Sequence, residues 1–476
     1  MALTVYNTLS KSKEEFRPMH AMKVNMFVCG QTVYDDAHLG HAKNYINFDV
    51  IARWLRHSGY AVKYIQNITD VDDKIIKRAQ EQKKDPIELA REYETRFMED
   101  MQAIGVRDSV NQYPRSHDYI DEIKSQIQLL ADNAYAYPIE DDIYYDVSKF
   151  SDYTKLSGMN LEELAKHRIE PRDGKKNSYD FALWKGSKKG EPSWEIEITF
   201  GAKKQKFNGR PGWHIEDTAI THAIFGKQYD LHGGAIELIF PHHTNEIAQA
   251  EAAFGVKPFV KYWLHSGIML IKGEKMSKSL RNFVRIRDLI KQFDPEALRV
   301  LVISTHYRKD VGYTEELIKK ASTRLNYMYA SFSIFYNMQE QDGERSSVVN
   351  DIIDEMKSKF EDAMNDDFNT PVALGTLLAA IDSLRNFAER NAAIEKATKE
   401  YAVRSILEYA GIFGILKKDT YKHRLSEQAS DLIKEREKLR AEKKFSEADR
   451  IRDDLKANHR IIVEDSEYGP IWHKSM

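Results

Sequence analysis

The sequence predicts an α/β chain: a parallel sheet covered by helices, then an all-α bundle, then a small α+β unit. Three observations carry this. From residue 1 to about 115 strand-like and helix-like segments alternate, the pattern that builds a parallel sheet. From Asp294 to about Ile412 successive amphipathic helices follow one another with short joints, which argues for a bundle. After a polar joint at Lys417 to Ser426, a highly charged helical stretch at Leu425 to Leu455 leads into a strand at Arg460 to Glu464.

Composition bounds the class. The 476 residues predict two to four domains with ample core, and 42% hydrophobic with 30% charged residues is ordinary for a globular chain. A net charge of −3 gives no global attraction to nucleic acid, so any RNA must meet local basic patches. The single cysteine excludes an internal disulfide and suits a reducing compartment. No run approaches the roughly 18 apolar residues of a membrane span, and Lys11, Lys13 and Glu14 interrupt any apolar signal core. A cytoplasmic enzyme is expected, with no membrane and no DNA partner.

The elements follow in order. Val24 to Val28 reads as a short buried strand, and Asn44 to Arg56 as a helix carrying Tyr45, Phe48, Ile51 and Leu55 on one face. The turn between them, Cys29 to Ala42, presents free N–H groups and a positive helix end to a phosphate. His38 and His41 stand at that helix start and can donate hydrogen bonds to charge developing on a phosphate, while Gly40 lets a flat ring lie against the backbone. Val62 to Asn67 is a second strand and Asp72 to Gln82 a charged helix, so the ligand belongs at the carboxyl ends of the strands, with Cys29 and Thr69 facing one pocket.

Between about 115 and 205 the periodicity changes to a helix at Tyr119 to Ala131, a strand at Ile143 to Val147 and a turn-rich Lys149 to Ser157, as in a domain insertion. Lys203 to Lys206 reads as a solvated basic cluster. The fold resumes at Gly209. Gly233 and Gly234 let the backbone approach a nucleotide, or simply form a turn. His242 and Glu246, four residues apart on a helix, project from one side and could chelate a metal, whereas His243 is turned away by about 100°. Lys275 and Lys278 flank hydroxyls on a loop preceded by Gly273 and can close over a polyphosphate as movable charges. Helices are expected at Pro295 to Ile303, Glu315 to Tyr336, Val349 to Ala363, Thr370 to Glu389 and Lys399 to Gly411. The division is 1–115 and 206–310 for the two halves of the nucleotide-binding domain, 116–205 for the insertion, 311–420 for the bundle and 421–476 for the terminal module.

His38-Leu39-Gly40-His41 and, more than 230 residues later, Lys275-Met276-Ser277-Lys278-Ser279 together resemble the signature of class I aminoacyl-tRNA synthetases. Cys29-Gly30-x-Thr32-Val33-Tyr34-Asp35, Asn67 to Lys74, Gly209 to Glu216, Phe240-Pro241-His242-His243 and Asp366 to Pro371 narrow the resemblance to the cysteinyl-tRNA synthetase family, from Tyr6 to Trp472. The resemblance implies a Rossmann-like catalytic domain split by a connective insertion near the tRNA acceptor end, and a terminal anticodon-binding module. It also implies that L-cysteine, ATP, with Mg, and tRNA(Cys) are the substrates.

By the same resemblance His38, His41, Lys275 and Lys278 are catalytic. ATP lies on His38, Gly40, His41, Gly233, Gly234, Glu237 and Lys278, with Glu237 where an aspartate is usual and Ala235 in place of a third glycine. Cysteine lies against Cys29, Gly30, Thr32, Thr69, Trp213 and His232. One zinc per chain is implied at Cys29, Asp217, His242 and Glu246, where Asp217 replaces the family's second cysteine. The charge of the ligand set is kept while a soft donor is lost. Arg281 stands where glycine is usual. Arg440, Phe445, Asp449, Asp465 and Trp472 are the anticodon candidates, single-stranded bases being gripped by stacking and by Arg and carboxylate edges. Two other readings stay open: a cysteine ligase with a small amino-sugar acceptor, and a non-catalytic tRNA-binding paralogue.

Overall fold

A computed structural model describes residues 2–159, 172–275, 283–344, 346–422, 425–466 and 469–474. Its central sheet is parallel, and four strands make it: β3 (Lys23–Thr32) and β4 (Ala61–Thr69) pair, β10 (Tyr229–Ala235) lies on the other side of β3, and β11 (Val260–Ser266) forms the edge. Val24, Met26, Phe27 and Val28 are fully buried, as a strand covered on both faces requires. Helix α1 (Leu39–His57) carries the chain from β3 to β4, and the helix Thr244–Phe254 carries it from β10 to β11. These crossovers leave the turns after β3 and β10 at the same end of the sheet. A hairpin ahead of the sheet, β1 (Thr4–Asn7) and β2 (Ser12–Glu15), is joined to β11 through the N–H of Thr8, which donates to the carbonyl of Trp263 at 2.9 Å.

The insertion contains more strand than expected. Besides the helix Ile120–Asp132 it holds a five-stranded antiparallel sheet built from β5 (Ala136–Ile139), β6 (Asp142–Tyr145), β7 (Phe181–Gly186), β8 (Trp194–Phe200) and β9 (Lys203–Pro211), in the order β5-β6-β7-β9-β8. Lys204 and Lys206 lie on β9 and pair across to Glu197 and Glu195 on β8 at 2.5 and 2.8 Å, so this cluster is a solvated strand face.

The bundle comprises Glu315–Tyr336, Ser347–Asn365, Thr370–Arg390 and Lys396–Phe413. It shares one continuous core with the sheet domain. Two buried polar nodes fix the joint. Arg299, on Pro295–Ile303, is ion-paired with Asp49 of α1 and donates to the carbonyls of Phe413 (2.6 Å) and Ile104 (2.9 Å). Asp367 accepts from the N–H of Tyr6 at 2.8 Å, the hydroxyl of Tyr307 at 2.9 Å and Nε of Arg308 at 2.8 Å. The terminal charged stretch is two helices, Glu427–Ala441 and Phe445–His459, because Lys443 turns the chain with φ of 61°. They pack with the hairpin Ile461–Ser466 and Gly469–Lys474 around Ala429, Ile433, Leu455, Ile461 and Val463.

Candidate active site and metal centre

At the nucleotide end His38 is the N-cap of α1. Its Nδ1 accepts the N–H of Gly40 at 3.1 Å, and Nδ1 of His41 accepts the N–H of His38 at 3.3 Å. Each Nδ1 is therefore a lone pair, which places the ring proton on Nε2 and makes each imidazole a neutral donor. The rings stack with centroids 3.9 Å apart. Burial pushes the His38 imidazole down to about 4 and the His41 imidazole well below its ordinary value, so neither carries charge at neutral pH.

The loop predicted to grip polyphosphate is moored on both sides. Lys275 ends the strand Glu274–Lys275 and is ion-paired with Glu237, and after the loop Phe283 lies 5.2 Å from the His38 ring. Val284 accepts the N–H of Leu39 at 3.0 Å. Lys278, with Met276, Ser277, Ser279, Arg281 and Asn282, lies outside the described residues. Asp36, one turn before the histidines, receives a bidentate bond from Arg96 at 2.7 Å, and Arg287 approaches it at 3.4 Å. Motif reading passed over Asp36 because its partners lie 60 and more residues away.

Gly233 and Gly234 lie inside β10, not in a turn. A side chain at Gly233 would strike the ring of Phe48 at 2.3 Å, and one at Gly234 the ring of His243 at 2.7 Å. Their lack of a Cβ admits these two rings beneath the strand. At Gly30 the constraint is backbone: a Cβ would meet the carbonyl oxygen of Asn67 at 1.6 Å.

The pocket expected to receive the amino acid is buried. Thr69 donates to Glu216 at 2.6 Å, Ser116 donates to the other oxygen of Glu216, and Asn67 donates to Oδ1 of Asp217 at 2.6 Å while accepting the N–H of Gly30 at 2.7 Å. Thr32 is paired in register with Thr69 across β3 and β4. Trp213 stacks on His242 with centroids 4.3 Å apart, and Nζ of Lys74 stands 5.5 Å over its face.

Cys29 sits amid donors. Its Sγ lies 3.4 Å from Oδ2 of Asp217, 3.3 Å from Nε2 of His232 and 3.2 Å from Nε2 of His243. Nε2 of His242 is 3.0 Å from Asp217 and 3.1 Å from Oε1 of Glu246, so His242 and Glu246 do share a side. His243 does not face elsewhere. The segment Ile239–His243 is a wider turn interrupted by Phe240 in an extended conformation, so the ideal helical rotation does not apply and both rings flank the thiol.

Neither oxygen of Glu246 accepts a hydrogen bond among the described residues, although the side chain is about 1% exposed. An orphaned buried carboxylate costs several kcal/mol unless a cation or proton meets it. Burial, then Asp217 and Glu216, pushes the Glu246 carboxyl well up; burial, then Asp217 and Glu246, pushes up the Cys29 thiol. Burial drives His232 and His243 down, and His265 down to about 3. Neutral imidazoles, one thiol and carboxylates whose donor atoms lie within 4.8 Å of one another fit a borderline-soft divalent ion. Sequence reading missed His214, His243 and His265. The signal was there, since six of the chain's 16 histidines fall between positions 214 and 265.

In the terminal module Asp465 accepts from Arg436 at 2.9 and 3.0 Å and lies 3.1 Å from Arg440. Trp472 packs against the small core and Asp449 pairs with Arg452 at 2.9 Å, while Phe445 is 54% exposed with Arg440 5.8 Å over its ring.

The described helices include none long and apolar enough to cross a membrane. Residues 15–323 match the family model for the tRNA synthetases class I (C) catalytic domain, residues 359–417 that for the DALR domain and residues 422–470 that for the cysteinyl-tRNA ligase anticodon binding domain. Among solved structures, Mycobacterium tuberculosis methionyl-tRNA synthetase in complex with methionyl-adenylate superposes with a TM-score of 0.59 at 16% identity, over 82% of this chain and 89% of that one. A LeuRS from Agrobacterium radiobacter gives 0.59 at 10%, over 84% and 85%. The parallel sheet, with paired histidines after its central strand, is thus that of a class I aminoacyl-tRNA synthetase.

The cysteine–tRNA ligase of Thermococcus onnurineus is 44% identical over 100% of this chain and 99% of its own length. That of Pyrococcus furiosus is 45% identical over 99% of both, and that of Methanococcus maripaludis strain C7 41% over 99% of both. The chain belongs to the cysteine–tRNA ligase family, ATP-dependent ligases whose partners are tRNA(Cys), ATP and cysteine.

Proposed function

We propose that this chain joins L-cysteine to tRNA(Cys) in two steps at the carboxyl end of β3 and β10. The cysteine carboxylate attacks the α-phosphate of ATP and pyrophosphate leaves; the terminal adenosine of the tRNA then takes the acyl group from the adenylate. The observation that carries this is the stacked His38–His41 pair at the start of α1, with both Nε2–H groups left to donate. Two preorganised donors meet the charge that grows on the α-phosphate, and no covalent protein intermediate is required. Lys275 and Lys278 hold the departing pyrophosphate, with Mg on the phosphates. Glu237 takes the ribose hydroxyls, so ATP must first exchange the Glu237–Lys275 ion pair for its own contacts. Gly40, Gly233 and Gly234 line the nucleotide.

Cysteine is received by Cys29, Gly30, Thr32, Thr69, Trp213 and His232. The zinc reading puts Cys29, Asp217, His242 and Glu246 around the ion. A soft ion bound there supplies a preference for sulfur over a hydroxyl that an apolar pocket cannot. Arg440, Phe445, Asp449, Asp465 and Trp472 form the anticodon reader, with Phe445 as its exposed aromatic face. Residues 1–115 and 206–310 work as the catalytic halves, 116–205 as the acceptor-end insertion, 311–420 as the bundle and 421–476 as the reader, in the cytoplasm. Incubation with ATP and either cysteine or serine, with and without tRNA, tests this. Cysteine-dependent ATP–pyrophosphate exchange and charged tRNA are expected; exchange without charging, or equal exchange with serine, would defeat the reading.

A further inference from the structure

Between the two ends of the site stands a lysine with no part in the steps above. Lys74 closes the stretch Asn67 to Lys74 and lies in the first turn of the helix Asp73–Gln82, where Oδ1 of Asp72 caps the chain by accepting the Lys74 N–H at 2.8 Å. The neighbouring Asp73 is ion-paired with Lys185, at 2.8 Å, and with Arg210, both on strands of the insertion sheet. These ties fix the start of the helix. The Lys74 side chain goes instead to the active site.

Its ammonium lies 5.5 Å from the ring centroid of Trp213 and 5.7 Å from that of Tyr34. Trp213 stacks on His242 of the buried nest, and Tyr34 lies on the turn that leads to His38. The charge also reaches the nucleotide end: after burial and the His38 ring, Lys74 is the next influence pushing the His41 imidazole down. Lys74 therefore borders both halves of the site.

Among the described residues this ammonium has two aromatic faces and no ion-pair partner. An aromatic face attracts a cation by about 0.5–1 kcal/mol at an exposed position, which aims the charge without neutralising it. Two anions must meet at this seam. The cysteine carboxylate has to reach the α-phosphate of ATP against like-charge repulsion, and a compact ammonium beside both offsets it.

We propose that Lys74 is a further catalytic residue, whose ammonium binds the cysteine carboxylate and holds it against the α-phosphate. This rests on the ligase reading above. In that step a carboxylate oxygen forms the bond to the α-phosphorus, the bond from that phosphorus to the bridging oxygen breaks, and pyrophosphate leaves with the electron pair. Lys74 transfers no proton; it stays on the oxygen that becomes the carbonyl of the adenylate.

ATP–pyrophosphate exchange on the full chain tests this, with cysteamine as a competing probe, since it keeps the thiol and amine of cysteine and lacks the carboxylate. Lys74 is exposed, so its variants are expected to fold. Lys74→Met should lower kcat/KM for cysteine about 100-fold, while KM for ATP and the inhibition constant of cysteamine stay within about twofold. Lys74→Arg keeps the charge and should stay within about tenfold of the parent. An unchanged kcat/KM in Lys74→Met would overturn the proposal, and so would cysteamine weakened as much as cysteine, which would make the lysine a prop of the pocket. If the parent chain itself shows no cysteine-dependent exchange, the ligase reading fails, and this proposal with it.

Discussion

The two ends of the active site are built in opposite ways. At the nucleotide end His38 and His41 are half-buried, each keeps one donor in reserve, and Lys275 is ion-paired with a surface carboxylate. At the amino-acid end Cys29, Asp217, His232, His243 and Glu246 are buried, and all their side-chain polar atoms but the carboxylate oxygens of Glu246 already have hydrogen-bond partners. On the proposed reading, groups that act on a passing charge are left uncommitted, whereas groups that recognise one small side chain are fixed in advance. Function at the first end should therefore be separable from stability, and at the second it should not.

The strongest expected effect is at the nucleotide end. His41→Ala should slow ATP–pyrophosphate exchange by roughly 100- to 1,000-fold, about 2.7–4 kcal/mol, with little change in melting temperature. Lys278→Ala should slow adenylate formation comparably while leaving cysteine binding nearly intact; an unchanged exchange rate would remove the lysine from the mechanism. His38→Asn keeps a capping acceptor, so a large loss of rate in that variant isolates the catalytic donor from the cap.

At the buried end, Asn67→Ala orphans Oδ1 of Asp217 and the N–H of Gly30. It should lower unfolding stability in urea by about 2–3 kcal/mol and impair cysteine binding together; a loss of binding at full stability would break the contrast. Glu237→Gln should raise KM for ATP about tenfold with stability unchanged, because the Lys275 pair it breaks is exposed and contributes little to folding.

The smallest effect concerns Asp100, outside both ends. Burial, opposed by Arg287, raises its carboxyl to about 6. The folded chain then holds a proton that the unfolded chain releases near pH 4, so this group's stabilisation is complete below about pH 4 and is lost as pH rises through 6. Asp100→Asn should gain on the parent by up to about 1 kcal/mol between pH 4 and 7 in paired urea titrations, a difference absent if the carboxyl titrates normally.

Much of the nucleotide end was legible because its parts are local. A strand, a turn and a capped helix lie within about 35 residues, and spacing along the chain is spacing in space. The helices Pro295–Ile303 and Glu315–Tyr336 were readable to the residue for the same reason. The amino-acid end was not, because His214, His232, His243 and His265 reach Cys29 or its neighbours from four different elements. The direction of His243 was misread by assuming an ideal helix where the backbone breaks at Phe240. The insertion's strands carried a usable signal: along Trp194–Phe200, Ile196 and Ile198 are buried while Glu195 and Glu197 point out. The helix Pro86–Ala103 likewise announces itself with Asp85 as cap and proline in its first turn.

Thr8 has a consequence for where the protein can be cut. Through His265 and His243 its hydroxyl is the outermost prop of the Cys29 thiol, and the strand just before it is anchored by Asp367 at Tyr6. Those first residues precede the span that matches the catalytic family model, so a trimmed catalytic fragment starting at residue 15 would retain both histidines and both lysines. It should nonetheless bind cysteine poorly while ATP affinity holds, and equal KM values for the amino acid in fragment and full chain would show the prop to be idle.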